Sequence, residues 1–284
     1  MHSYKKLFLF SLLFCIGLFS SQSRSKDSLR GNFTYLLKAK LNTQLPNYIH
    51  EESFSLLISD KYAFFVSSKS LKRDSVLDNS RETRKNSDGS ITLSIKKGVS
   101  IPETQFYFTI IQSNENIQYF DSAFMSLLTY KEPVIKNWKL IDETKIINTI
   151  NCKKAEVTFK GRNWVAWYAS EIPFPYGPMK FSGLPGLIIK IADDKGDYDF
   201  ELVKSVAGSQ LKGKLIDIKK SRYTGAVETT QSKLKQAKKD AEANAAGLLA
   251  SYGTTVIKGK EILRQREKER EENSKYANPL ELTN

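Results

Sequence analysis

A rigid turn running straight into an apolar strand constrains this sequence more than any other feature. In Ser182-Gly-Leu-Pro-Gly-Leu-Ile-Ile189, Gly183 and Gly186 admit positive φ, and Pro185 sets its own φ near about −65° and keeps Leu184 extended. Leu187 to Ile191 then form an apolar, largely β-branched run, which is the composition of a buried strand. The glycines would also let a phosphate approach the backbone. The segment lacks the following helix, the lysine and the Ser/Thr of a phosphate-binding loop, so a conformational role is preferred.

Strand patterns flank that turn on both sides. Residues 33–41 place Tyr35, Leu37, Ala39 and Leu41 on one side, with Lys38 and Lys40 opposite. Phe54 to Ile58 and Tyr62 to Val66 enclose Ser59-Asp-Lys61 as a hairpin, and Gln105 to Ile111 and Ile117 to Phe120 enclose Ser113-Asn-Glu-Asn116 as a second. Between them, residues 67–90 are polar and densely charged, which predicts a surface excursion, and Ile91 to Ile95 resume alternation. Pro133 interrupts the chain before Val134 to Ile141, and Lys145 to Ile150 read as a further short strand.

Residues 152–160 turn back through Lys160-Gly-Arg-Asn163 into Trp164 to Tyr168, a strand with aromatics on both faces. Pro173, Pro175 and Pro178 stiffen the connector to the Gly-Leu-Pro-Gly turn. Asp193 to Asp197 link the strand after it to Tyr198 to Val203. Strands joined mostly by turns, without intervening helices, predict a mainly β fold with an antiparallel sheet of hairpins.

Past Gly208 aromatics nearly vanish and lysines accumulate. A basic, mainly α-helical region is expected over 209–284, with Leu234, Ala237, Ala241, Ala245, Leu248 and Tyr252 as a narrow small-residue stripe and Gly253 as its stop. Residues 260–275 read as a solvated helix of mixed charge.

The formal charge of +13 would ordinarily suggest nucleic acid. The N-terminus argues otherwise: Lys5 and Lys6, an apolar run from Leu7 to Phe19, then small polar residues form an export leader, with cleavage expected near Ser21 or Ser23. This divides the chain into a leader at 1–23, a β domain at 24–208 and the basic region at 209–284. Bulky Phe14 before Cys15 disfavours lipidation there. Removing the leader takes Cys15 and leaves Cys152 alone, so no internal disulfide supports the mature fold.

Ser182 to Ile189, with 161–168, Glu171-Ile-Pro173, Gly177-Pro178 and Asn278-Pro-Leu-Glu281, resemble the GLPGLI family, exported proteins of the Bacteroidetes with no established molecular function. Members are similar to the N-terminal, non-catalytic domain of a bacterial peptide-N-glycosidase. The resemblance therefore implies a curved sheet, bowl-like or an open half-barrel. It implies an envelope protein or outer-membrane receptor as partner, supplies no catalytic residues, and makes the Asp-Ser-apolar triplets at Asp27, Asp74 and Asp121 candidate O-glycosylation sites.

Catalytic parts are scarce. With His2 in the leader, His50 is the one remaining histidine, read as a surface-loop residue, and a dyad with Cys152 or a serine triad on His50 has no local signature. Cys152 at a strand start reads as a small buried residue. Asp193, Asp194, Asp197 and Asp199 read as turn chemistry rather than a calcium loop. Trp164, Trp167, Tyr168, Phe174 and Tyr176 could form a binding surface, although aromatics at strand period are usually core. No cofactor or metal is indicated. The expectation is an exported, non-enzymatic binding or accessory protein of the periplasm or outer membrane, its basic tail contacting anionic lipid or lipopolysaccharide and no nucleic acid. A carrier of a hydrophobic ligand is the second reading, and a hydrolase using His50 the third.

Overall fold

The computed structural model describes residues 27–89, 91–251, 265, 268, 272 and 274–283. The expected leader, with Cys15, lies outside the described residues, as do Tyr252, Gly253 and most of 260–275.

Three strands come first, β1 (Gly31–Ala39), β2 (His50–Ile58) and β3 (Ala63–Ser67), followed by α1 (Ser68–Ser80) and a small pair, β4 (Arg81–Lys85) and β5 (Ile91–Ile95). Next are β6 (Thr109–Gln112), β7 (Asn116–Ala123), β8 (Ser126–Pro133), β9 (Lys139–Ile147), β10 (Ile150–Phe159), β11 (Arg162–Ala169), β12 (Leu187–Asp193) and β13 (Tyr198–Ser205). The chain ends with α2 (Gly208–Leu211), a 3-10 turn (Lys220–Arg222), β14 (Val227–Glu228), α3 (Gln231–Ala243) and α4 (Ala245–Ser251). Twelve of these strands form one open sheet in the order β14-β8-β7-β6-β3-β2-β1-β13-β12-β11-β10-β9. Its pairs are antiparallel except β14, which lies parallel to β8.

Alternation puts the apolar side of β1, β2, β11 and β13 on the inner face. Tyr35 and Leu37 of β1, Phe54 and Leu56 of β2, Trp164 and Ala166 of β11 and Phe200 of β13 all fall in one buried cluster. The 170–186 connector fills the space inside. Gln112 of β6 donates to the carbonyls of Gly177 (2.8 Å) and Met179 (2.6 Å), Lys180 donates to the Tyr130 hydroxyl of β8 (2.9 Å), and the Trp138 indole donates to the Ser182 carbonyl (2.9 Å). Since β6 and β8 stand far from β11 and β12 in the strand order, one short connector touches all four because the sheet curls around it.

The turn that begins β12 is conformational for a measurable reason. A Cβ on Gly186 (φ +154°) would stand 2.1 Å from the Ala169 carbonyl oxygen, and one on Gly183 (φ +91°) 2.6 Å from that of Ile135.

Several expectations are corrected. The surface excursion at residues 67–90 carries regular structure that its polar composition did not announce: the Ser67 hydroxyl caps α1 by accepting from the Ser70 amide, and Arg81 then begins β4. Lys145 to Ile150 is not one strand, because Asn148 (φ 50°) and Thr149 (φ 67°) form the two-residue reversal from β9 to β10; Lys160 (φ 50°) and Gly161 (φ 81°) do the same before β11. β8 had no sequence signal beyond its terminating Pro133. Residues 209–230 are not helical throughout. Leu211 and Ile218 turn back to cover Leu57, Phe64 and Val66 on the outer face, and α3 and α4 are separated at Asn244.

Candidate functional site

The connector does not fill the whole inner face. Toward β7 it leaves a cavity of about 800 Å3, floored by Leu37, Phe54, Phe108, Tyr119 and Phe200 and roofed by α3 and the 274–281 segment. The floor is aromatic because the inward positions of neighbouring strands, and of residues 106–108, carry rings in mutual contact. Phe54 lies 5.3 Å from Phe106, 6.2 Å from Phe108 and 6.3 Å from Phe200, and Phe108 lies 5.3 Å from Tyr119. Leu234 of α3 closes over this floor, and Lys238 anchors the helix by an ion pair with buried Asp121. A second cavity of about 990 Å3 shares Leu41, Asp121 and Lys238 with the first and opens at Leu45, Tyr48 and Tyr107.

Buried charges hold the roof. Lys180, whose side chain is 1% exposed, reaches Glu132 of β8 (2.7 Å) and Glu281 of the C-terminal segment (2.6 Å), and its ammonium lies 4.9 Å from the centre of the Tyr130 ring. Gln231, the first residue of α3, also donates to Glu281. Burial by itself would raise the Glu132 carboxyl, but the charge of Lys180 and hydrogen bonds from Lys160 and Lys180 outweigh it and hold that carboxyl below its ordinary value. Burial and neighbouring carboxylates push the Tyr130 hydroxyl upward, so it stays protonated.

Arg162 makes the second attachment. One guanidinium nitrogen donates to Asp193 (2.6 Å) and Asp197 (3.1 Å), the other to the Asn278 side chain (2.5 Å) and the Pro279 carbonyl (2.9 Å). Asn278 in turn donates to the carbonyls of Lys40 (2.8 Å) and Leu41 (2.9 Å), while Leu282 donates to that of Lys160 (2.9 Å). The C-terminal segment therefore spans from the end of β1 to the turn between β10 and β11. Arg162 pairs with Asp193 and Asp197 of the 193–197 turn, and among the described residues no group of three or more His, Cys, Asp or Glu side chains is placed to hold a metal ion.

The catalytic candidates are not brought together. His50 is not a surface-loop residue. It begins β2, largely buried beside the Phe106 ring, with Nε2 3.3 Å from Glu52. Fully buried Glu52 also accepts from Ser67 and Thr104, so the serine hydroxyl points to the carboxylate and not to the imidazole, and no nucleophile–base pair results. Cys152 lies on β10, with β1, β13, β12 and β11 between it and β2, and burial pushes its thiol up to about 11.

The five aromatic positions divide. Trp164, Tyr168 and Tyr176 are core residues and not a binding surface: the strand period turns Trp164 and Tyr168 of β11 inward, and Tyr176 is buried within the connector. Phe174 is partly buried against Phe33, and Trp167 lies on the outer face under Lys145. Gly183, Leu184, Pro185, Gly186, Leu187 and Ile188 seat the connector and β12. The charged residues that hold the roof were missed in sequence; their one visible signal was a lysine at 180 between Met179 and Phe181, inside an otherwise apolar run.

Residues 156–190 match a family described as a protein of unknown function (Porph_ging). The matched stretch runs from β10 through β11 and the connector into β12, and includes both Arg162 and Lys180. No curated protein matches the chain. Two solved structures of PNGF-II, in the C2 and P21 space groups, are similar with TM-scores of 0.49 and 0.48 and 13% identity, over 75% of this chain and 33% and 34% of theirs. The chain thus spans about a third of the length of those structures.

Proposed function

We propose that the protein is an exported, non-enzymatic binding protein of the cell envelope, and that it carries an apolar or amphipathic ligand in the cavity between the inner face of the sheet and α3. The observation that supports this most is the aromatic floor of a space of about 800 Å3 beneath α3. Such a floor attracts apolar groups without directional demands, and the absence of a nucleophile–base pair around His50 favours retention of the ligand over chemistry on it.

Native mass spectrometry of the protein purified from its own envelope fraction tests the reading. The expected result is a non-covalent adduct that organic solvent extracts, together with a mature N-terminus near residue 22 or 24. A clean apo mass combined with no binding of a fluorescent fatty-acid probe would overturn the carrier. Recovery of the unprocessed chain from the cytoplasm would overturn the export.

A further inference from the structure

We infer that the mouth of the cavity is a membrane-docking surface, in which the 42–49 loop inserts Leu45, Tyr48 and Ile49, with Tyr107 beside them, into the interfacial layer of an anionic bilayer. The exposures are the starting point. Leu45 is 53% exposed, Tyr48 59%, Ile49 50% and Tyr107 47%. Isolated apolar side chains on a surface are ordinary, but here three fall within five residues, and Leu45, Tyr48 and Tyr107 line one opening.

The loop is organised to hold these side chains outward. The Asn42 side chain accepts from the Gln44 amide (2.8 Å), Leu45 donates to the Asn42 carbonyl (3.2 Å), Tyr48 to that of Leu45 (3.0 Å), and Thr43 to that of Tyr276 in the C-terminal segment (2.8 Å). Two consecutive turns tied to a strap leave little conformational freedom to lose on contact. Tyrosine suits the depth where apolar chains meet headgroups.

Charge selects a bilayer as the occupant. The chain carries a formal charge of +13, of which Lys5 and Lys6 belong to the expected leader; at the opening Asp74 and Asp121 are paired with Arg222 and Lys238, and the Arg73 guanidinium lies 5.7 Å from the centre of the Tyr107 ring, a cation beside one of the apolar tips. That pairing of apolar tips with basic support matches an anionic lipid surface. The opening continues into the cavity over the aromatic floor, so docking would put that floor in line with the acyl layer. The docking surface does not depend on the cavity being occupied.

Flotation of the full mature chain with vesicles of phosphatidylcholine and phosphatidylglycerol, mixed about seven to three, tests it at about 0.15 M salt. The triple variant L45S/Y48S/I49S should partition about tenfold less or weaker still. The control L140S/I146S, which alters equally exposed apolar residues on β9 (57% and 73%), should remain within about twofold of the parent. Equal loss in both variants, parent-like binding by the triple variant, or no vesicle binding by the parent would overturn the proposal, and self-association of the parent abolished by the triple variant would assign the loop to a second copy instead. Because Cys152 is buried, Tyr48→Cys can be labelled selectively with an environment-sensitive dye, which keeps the test open if the triple variant folds poorly. A blue shift on adding vesicles is expected, and an unchanged spectrum contradicts insertion.

Discussion

The two halves of the inner face are filled by different chemistry. Around β11 and β12 the connector residues Phe181 and Leu184 share one buried cluster with Trp164, Ile188 and Tyr35, and apolar burial does the holding. Around β7 and β8 the same face is covered from outside by α3 and the C-terminal segment, held through Arg162, Lys180, Glu132 and Glu281, and a cavity remains beneath. Apolar packing works best when it excludes voids, whereas a roof pinned at a few charged points can span one. The packed half is therefore the scaffold, and the roofed half holds the proposed site.

Substitution should separate the halves, and the largest effect is expected in the scaffold. Gly186→Ala forces a Cβ onto the Ala169 carbonyl, where the backbone cannot give way, and should yield insoluble or unfolded protein. Arg162→Met comes next. It leaves Asp193 buried without its cation and detaches Asn278, so urea denaturation should show a loss of about 3–5 kcal/mol, which lysine at that position does not restore because it cannot reproduce the forked donation. Parent-like stability of Arg162→Met would remove the charged attachment from the account.

Leu234→Ala should cost less than Phe181→Ala. The first side chain borders a space already present, while the second is fully enclosed and should cost about 3–5 kcal/mol. Equal costs would mean that the cavity is packed in solution. The smallest effect is the contribution of Glu132 to acid stability. Its folded carboxyl titrates below the ordinary value of 4.5, so the stabilisation is fully present above that value and is lost as pH falls through the lower folded one. Thermal melts of Glu132→Gln between neutral and acid pH should show a less stable protein with a flatter acid limb, and an unchanged slope would contradict the coupling to Lys180.

The scaffold was more legible in sequence than the site. Alternation along residues 33–41, 54–58, 152–160 and 198–203 marked strands and inward faces because sheet burial imposes a period of two, and the Gly-Leu-Pro-Gly turn marked a backbone path that needs glycine. β8 was not legible, since Lys131-Glu-Pro133 interrupts its apolar pattern and its start depends on a turn at Phe124 with φ 57°. The roof was illegible for another reason: Arg162 and Lys180 meet Asn278 and Glu281 across about a hundred residues, and a charged side chain in sequence carries no sign of whether it is solvated or paired in the interior. Reading the C-terminal region as a basic appendage followed from that. In the fold, Asn278 to Leu282 are tied to the ends of β1 and β10, so removing everything past Gly208 should destabilise the protein and not merely trim it.

The claim that the roofed half is a ligand site is tested most directly by photocrosslinking a diazirine-bearing fatty acid to the mature protein and mapping the labelled peptides by mass spectrometry. The account predicts labels at Phe106, Phe108 and Leu234, lost when Phe108→Asp puts a charge into the floor, with the connector around Phe181 unlabelled. Labels spread over the connector and the outer face, or no saturable labelling at all, would contradict it.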